Sequence, residues 1–326
     1  MTRGKPTHRG WPFWSARKPK SDSELDRARE AALRAYLELI AGLLPPEDRP
    51  LAGAQVTAAD PLQARVSAMQ RQRRGDGEPA PSRSPRDGPF FEFGPEEQAT
   101  AQTQTLALLR ELDGGRKGIV VRFLYSSGLI GKEATICLQG ADLEGIDLVQ
   151  ADLWGANLDG ARLRAANLSE ARLSGASLQR ADLREALLVR ADLWAADLLE
   201  ADLTFSQAGQ AKLGSATLSQ AYLCQAGLQQ IDLSGATLAS ANLALADLRQ
   251  ARLSKANLQQ AILWGSRLDE ADLSGADLSG ADLKGAILAG ANLTGARLRR
   301  AAVTREQLAA ARSLAGAMLP DGKVHE

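Results

Sequence analysis

From Ile136 to Arg300 the chain keeps a period of five without an insertion, reading ICLQG ADLEG IDLVQ ADLWG ANLDG ARLRA and onward through thirty-three consecutive pentapeptides. In steps of five from Leu138 to Leu298, thirty-two of thirty-three central positions are Leu, and Ala208 is the exception. Two residues before each centre, twenty-eight of thirty-three are Ala; the others are Ile136, Ile146, Ser206, Ile231 and Ser266. Neither common element can use this spacing. On an α-helix, at ~100° per residue, successive Leu would fall ~140° apart and leave no apolar stripe. On a strand, with its period of two, they would alternate between faces. A chain that turns a corner every five residues instead sends every Leu inward. Four such sides close a coil of about 20 residues, and coils stacked at the strand spacing of ~4.8 Å bury the Leu columns between them. Ala fits beside Leu near each corner, and the frequent Gly in fifth place suits tight turning.

These residues resemble the pentapeptide-repeat family, whose motif centres on Leu or Phe with Ala two residues earlier and often Asp or Asn between. The resemblance covers residues 136 to 300 and implies an all-β solenoid, a right-handed quadrilateral β-helix of about eight coils and roughly 40 Å. The stretches REAALRAYLELIAGLL and QTLALLRELDGGRKGIVVRFLYSSGLI resemble the helical leader found before the coils in a bacterial subset of the family. In that subset a transmembrane helix often lies upstream, where this chain has HRGWPFWSARKPK. VTREQLAAARSLAGAMLPDG resembles the family's C-terminal tail.

The flanks divide by composition. Residues 1–20 carry six basic and no acidic residues around Trp11, Phe13 and Trp14, and read as a disordered basic leader or an arm for a membrane surface. Residues 21–44 form an amphipathic helix with Leu33, Tyr36, Leu37, Ile40, Leu43 and Leu44 on one face, stopped by Pro45-Pro46. Residues 45–94, rich in Pro, Gly, Arg and Ser, read as a linker. Residues 95–135 hold a helix from Pro95 to Leu112, a short helix from Lys117 to Tyr125 and an N-terminal cap. Residues 301–326 form a C-terminal cap with a short helix, where Thr304 and Gln307 make a capping box. An open coil end would expose a ring of Leu and unpaired edges. Val121, Phe123, Leu124 and Ile130 at one end, and Leu308, Leu314 and Met318 at the other, would cover it; left bare, an end would serve a homodimer.

With coils of 20, residues twenty apart stack. One column reads Asp152, Arg172, Asp192, Lys212, Asp232, Arg252, Asp272, and its alternating charge predicts a ladder of paired neighbours with a structural role. The same face carries Trp154 and Trp194 with Ser174 between them, a candidate grip for a partner, since Trp is a frequent hot-spot residue. Trp264 falls on another face. Ala208, beside Phe205, breaks the Leu columns and predicts a local kink or bulge.

Function is bounded mainly by exclusion. The chain's two His lie at its ends, His8 and His325, which removes Ser-His-Asp and Cys-His catalysis and any imidazole-rich metal site. Cys137 and Cys224 fit no ligand spacing, and so sparse a use of thiols suggests a reducing, cytoplasmic setting. No run approaches the ~18–20 apolar residues of a membrane span. No motif calls for a cofactor, and a convex rod offers no water-excluding pocket. The repeat region holds nineteen acidic and fifteen basic residues, scattered over all sides, which argues against direct nucleic-acid binding. The expectation is a non-enzymatic interaction or scaffold protein with an unidentified protein partner. The resemblance also implies an alternative, since some family members mimic a DNA duplex and bind gyrase, a type II topoisomerase. A further alternative is a peripheral membrane scaffold held by residues 1–20.

Overall fold

Hydrogen bonding explains why each side takes five residues. A computed structural model of the protein describes residues 22–43, 94–131 and 136–326. Two compact units divide it, Met1–Arg49 and Pro50–Glu326. The first contains helix α1 (Asp22–Leu43), whose Leu33, Tyr36, Leu37 and Ile40 are buried. The second contains α2 (Pro95–Glu111), α3 (Gly114–Ser126), the coils, and α4 (Arg305–Ala309). The basic leader of 1–20 and all but the last residue of the 45–94 linker lie outside the described residues.

In every repeat from Asp142 to Asp282 the residue before Leu bridges in parallel to the residue twenty positions on, as Asp142 does to Arg162 and Arg162 to Asp182. The backbone donors are shared out in a fixed way. Arg162 N donates to Ala141 O, Leu143 N to Arg162 O and Gly145 N to Arg164 O, each at 2.9 Å, and Ile146 N closes the corner onto Leu143 O at 3.1 Å. One donor per repeat remains, on the residue after Leu. Where Asp or Asn stands before Leu, its side chain takes this donor: Glu144 N donates to Asp142 Oδ1 at 3.2 Å, Ser234 N to Asp232 at 3.0 Å and Gln259 N to Asn257 at 3.1 Å. Asp and Asn recur at that place because their short side chains reach their own backbone two residues on.

The corner itself needs the left-handed region. All thirty-three fifth positions from 140 to 300 have φ between 53° and 71°, yet only twelve of them are Gly. The backbone, held on both sides by neighbouring coils, imposes this conformation on Gln, Glu, Arg and even Leu245 and Phe205. Inside, the Leu and Ala columns are buried along their whole length.

The kink expected at Ala208 does not occur. Gln207 bridges both Leu187 and Gly227, Ala208 N donates to Gly227 O at 2.8 Å, and Gln210 N donates to Gln229 O at 2.9 Å. Phe205 takes the ordinary corner conformation and points outward, 49% exposed, so it does not fill the space of the missing Leu. The backbone carries the register, and it tolerates a short inward side chain. The local mark of the change is Ser206, whose buried Oγ has no partner, whereas Ser266 in the equivalent place donates to Leu263 O at 2.8 Å.

Both ends of the coil stack are covered by the chain itself. α3 starts on Asp113, whose side chain accepts from Arg116 N at 3.1 Å, and lies across the first coil. Asp147 N donates to Gly114 O at 3.1 Å, Arg122 reaches Val149 O at 3.1 Å, and the Tyr125 hydroxyl reaches Asp152 at 3.2 Å. Lys117, buried, pairs with Asp142 at 3.0 Å. From α2, the Gln102 amide exchanges two hydrogen bonds with the backbone of Cys137, as a neighbouring strand would. Val121, Phe123, Leu124 and Ile130 are buried here. At the other end the Thr304–Gln307 capping box opens α4, and Gln307 Nε2 donates to the carbonyls of Leu283 and Ala286 at 2.7 Å. Ser313 and Met318 then bridge the last full coil, and Val324 returns antiparallel to Met318. Leu308 is buried, while Leu314 and Met318 are half-buried.

α3 comes this close because it carries glycines. A Cβ on Gly114 would lie 1.9 Å from Gly145 O, and one on Gly118 would lie 2.2 Å from Asp147 O. Gly118→Ala is therefore expected to lift α3 from the first coil and lower stability by about 2 kcal/mol or more, with increased amide exchange confined to the first coil. The corners give a second, matched test. Ser240→Gly, relieving a φ of 58°, is expected to raise stability by about 1 kcal/mol, and Gly160→Ala, imposing one of 62°, to lower it by a similar amount. Shifts of the denaturant midpoint in opposite directions check both.

Candidate functional site

Outward side chains stand in three columns per face: the residue before Leu, the residue after it, and the corner. The column from Asp152 to Asp272 is stacked as the sequence predicts, each member bridging the next. The paired ladder does not form. No two successive members make an ion pair among the described residues. The reason is the fold's own demand: Asp192 and Asp232 turn to accept from Trp194 N at 3.2 Å and Ser234 N at 3.0 Å. Ion pairs form elsewhere, as at Arg180–Glu200 (2.7 Å) and Arg164–Glu185 (2.6 Å), where longer side chains span the gap between coils.

The two indoles expected to grip a partner over Ser174 have different settings. Trp194 is 56% exposed and lies against Gly214 in the following coil, its Cδ1 3.2 Å from where a Cβ would stand. Trp154 is half-buried, in the coil where Tyr125 reaches Asp152. Ser174 is half-buried between them in sequence register. The missing side chain at 214 leaves room for the Trp194 ring.

The largest run of exposed apolar side chains lies on the face that begins at Asp142. Phe205, Tyr222, Leu245, Ile262 and Trp264 are each 42–52% exposed there. The segments AYLCQ, ANLAL and AILWG, centred on Leu223, Leu243 and Leu263, contain no charged residue, and Phe205 adjoins them in the coil that carries Asp202. Three stacked coils thus present ~14 Å of uncharged face. Asp202 bounds it on one side, and Asp282 with Lys284 on the other. Cys224 lies within the patch, its thiol pushed up by burial and by Asp202, which favours the protonated form. The sequence signal was present at a spacing of twenty, in the loss of charge from three columns at once. It is visible only when every face is laid out.

The next face is polar and finely paired. At its corner Gln210, Gln230, Gln250 and Glu270 form a continuous amide ladder, with bonds of 3.1, 2.9 and 2.9 Å. Beside it Arg249 Nη2 lies 2.6 Å from Asp247 Oδ2, and Gln229 Nε2 lies 2.7 Å from the same oxygen. The guanidinium above all, with the amide, holds the Asp247 carboxyl at about 2 against the effect of partial burial. Among the described residues no cluster of His, Cys, Asp and Glu is placed to hold a metal, and no helix is long and apolar enough to cross a membrane.

A family model described as pentapeptide repeats matches the chain in eight copies, from 136–175 through to 266–304, which is more than half of it. Among solved structures, the chain resembles HetL, a pentapeptide-repeat protein involved in heterocyst differentiation regulation from the cyanobacterium Nostoc sp. strain PCC 7120. Identity is 32%, 64% of this chain and 98% of that chain are covered, and the TM-score is 0.37. It also resembles the pentapeptide-repeat protein Rfr23 from the cyanobacterium Cyanothece 51142, at 41% identity over 25% of this chain and 58% of that one, with a TM-score of 0.16. QnrB1, a plasmid-mediated fluoroquinolone resistance protein, is 20% identical over 56% of this chain and 85% of that one, with a TM-score of 0.21. No curated protein matches the chain.

The Asp247 pair gives a test of the polar face. Because the folded carboxyl titrates at about 2, below its ordinary ~4, its contribution to stability is complete above pH ~4 and is lost as the pH falls toward 2. In Arg249→Ala the Asp247 resonance is expected to titrate nearer 4, and the loss of stability between pH 5 and 2 to shrink, as measured by NMR titration and thermal melts.

Proposed function

The chain belongs to the pentapeptide-repeat family, and on that premise we propose that it is a non-enzymatic interaction protein, built as a right-handed quadrilateral β-helix that offers a flat face to another protein. The observation that carries this is the uncharged patch on a backbone held by hydrogen bonds from coil to coil. Phe205, Tyr222, Leu245, Ile262 and Trp264 stand on adjoining coils, held by a hydrogen-bonded ladder that leaves them little freedom to rearrange. Contact with such a face costs little backbone entropy, and aromatic side chains bring much apolar area with few rotatable bonds. The description of HetL as involved in regulation accords with a protein that acts by contact.

The faces give less support to the duplex mimic. That mechanism needs dense negative charge along the rod. Here Arg162, Arg172, Lys212 and Arg252 stand between the carboxylates, and one face is uncharged over three coils. The membrane-bound alternative depends on residues 1–20, which lie outside the described residues.

A comparison of two double variants tests the proposal. Full-length wild type, Tyr222→Ala/Trp264→Ala and Trp154→Ala/Trp194→Ala are used to capture proteins from a native lysate. A partner retained by wild type and by the Trp154/Trp194 variant, and reduced at least tenfold on the Tyr222/Trp264 variant, is the expected result. A partner lost only when Trp154 and Trp194 are changed would move the working face to the neighbouring side. Unchanged gyrase supercoiling activity at micromolar protein is expected alongside.

A further inference from the structure

On the polar face the corner column runs Arg190, Gln210, Gln230, Gln250, Glu270, from the third coil to the seventh. All five residues hold φ between 56° and 60°, so their side chains leave the backbone in the same direction, one coil spacing of ~4.8 Å apart. Four hydrogen bonds join them in a single sense. Arg190 Nε donates to Gln210 Oε1 at 3.1 Å, Gln210 Nε2 to Gln230 Oε1 at 3.1 Å, Gln230 Nε2 to Gln250 Oε1 at 2.9 Å and Gln250 Nε2 to Glu270 Oε2 at 2.9 Å. The ends explain the sense. A guanidinium can only donate and a carboxylate can only accept, whereas an amide does both. With a donor fixed at Arg190 and an acceptor at Glu270, a single orientation of the three amides between them satisfies every junction. Beyond Glu270 the column has Gly290, which offers no side chain to continue it.

We propose that these five residues act as one two-state element that couples the third coil to the seventh, about 19 Å apart. The second state is the same ladder with all three amides turned over, and it becomes the satisfied one when the end charges are exchanged. Turning a single amide merely moves the unmet junction along the column, so the amides must turn together. The three glutamines are exposed, and turning them exchanges the donors and acceptors that this side of the rod shows to solvent. A partner's carboxylate seated against Gln210 in place of Arg190 favours the turned state, and so favours a partner's ammonium seated against Gln250; the two binding events assist each other reciprocally.

Direct attraction between the charged ends is a poor carrier for such a link. The ~19 Å between them is more than twice the screening length of ~8 Å at physiological salt. A hydrogen-bonded chain between them has no such limit, since each amide polarises the next.

Charge exchange in the full chain, at about 0.15 M salt, tests the element. Arg190→Glu puts an acceptor at both ends and Glu270→Lys a donor at both ends, so each leaves one junction unmet. With unchanged circular dichroism spectra, each is expected to lower the melting temperature by about 2 °C, the size of one net hydrogen bond in a chain of this length. The double variant satisfies the turned ladder and is expected to recover most of the summed loss. In a Gln230→Ala background the two halves turn independently, and the coupling between positions 190 and 270 is expected to vanish. The side-chain amide resonances of Gln210 give a second reading. Adding Glu270→Lys to Arg190→Glu is expected to move them from ~14 Å away, and to leave them in place when Gln230→Ala is also present. Losses that simply add in the intact ladder overturn the proposal, as do Gln210 resonances that stay where they are; each amide then bonds to water on its own. Coupling that persists with Gln230→Ala overturns it as well, and assigns the link to the backbone or to the field of the charges.

Discussion

Everything in this fold depends on the hydrogen bonds between one coil and the next. Each side of a coil is bridged at a single residue, so no long strand exists to hold the shape, and stability comes from repetition. The ladder dictates the period of five, since four of five backbone donors have fixed uses, and the fifth is met by Asp or Asn wherever one stands before Leu. It dictates the left-handed corner, which twenty-one non-glycine residues adopt. It also fixes the outward columns with a regularity that side chains on loops rarely have. Leu and Ala supply the driving force by filling the interior, at ~2 kcal/mol for each buried Leu, but they do not set the geometry. Ala208 demonstrates the division of labour, because losing one Leu leaves the ladder unbroken.

The architecture was legible because its signal repeats thirty-three times. Where sequence reasoning went astray, a side chain had two possible uses and the spacing could not choose between them. Asp192 and Lys212 sit one coil apart as the column predicts, yet the aspartate bonds to its own turn, a nearer partner than the lysine. Trp154 and Trp194 share a column, but Gly214 leaves room for one ring while the other is half-buried two coils away. The apolar patch around Trp264 escaped notice for another reason. Its members come from three different columns, and only their adjacency on one face makes them a surface. The caps were visible as helices, while the approach of α3 over Gly114 and Gly118 is a matter of tenths of an ångström that no pattern in the sequence announces.

The two caps solve one problem by different means. α3 presents its glycine-lined side to the first coil and borrows Lys117, Arg122 and Tyr125 to engage the carbonyls and carboxylates found there. The C-terminal segment continues the bridging pattern for two more sides and then folds its last residues back as an antiparallel edge. Gln side chains serve at both ends, Gln102 and Gln307, because an amide carries a donor and an acceptor at the spacing of a peptide group. Open ends would expose strand edges to other chains, and covering them leaves the sides as the free surface.

The strict count of residues per side has a consequence for how such a protein can change. Inserting one pentapeptide would leave the core, the corners and the ladder chemically intact, yet it would rotate every later column by a quarter turn relative to the earlier ones. Phe205 and Trp264, now on one side, would be parted onto adjacent sides by an insertion between them. Only insertions of twenty conserve the faces. A lineage of these chains can therefore lengthen in whole coils while keeping its surfaces, and can create a new surface at a single step by adding five residues, with the fold paying almost nothing for the difference.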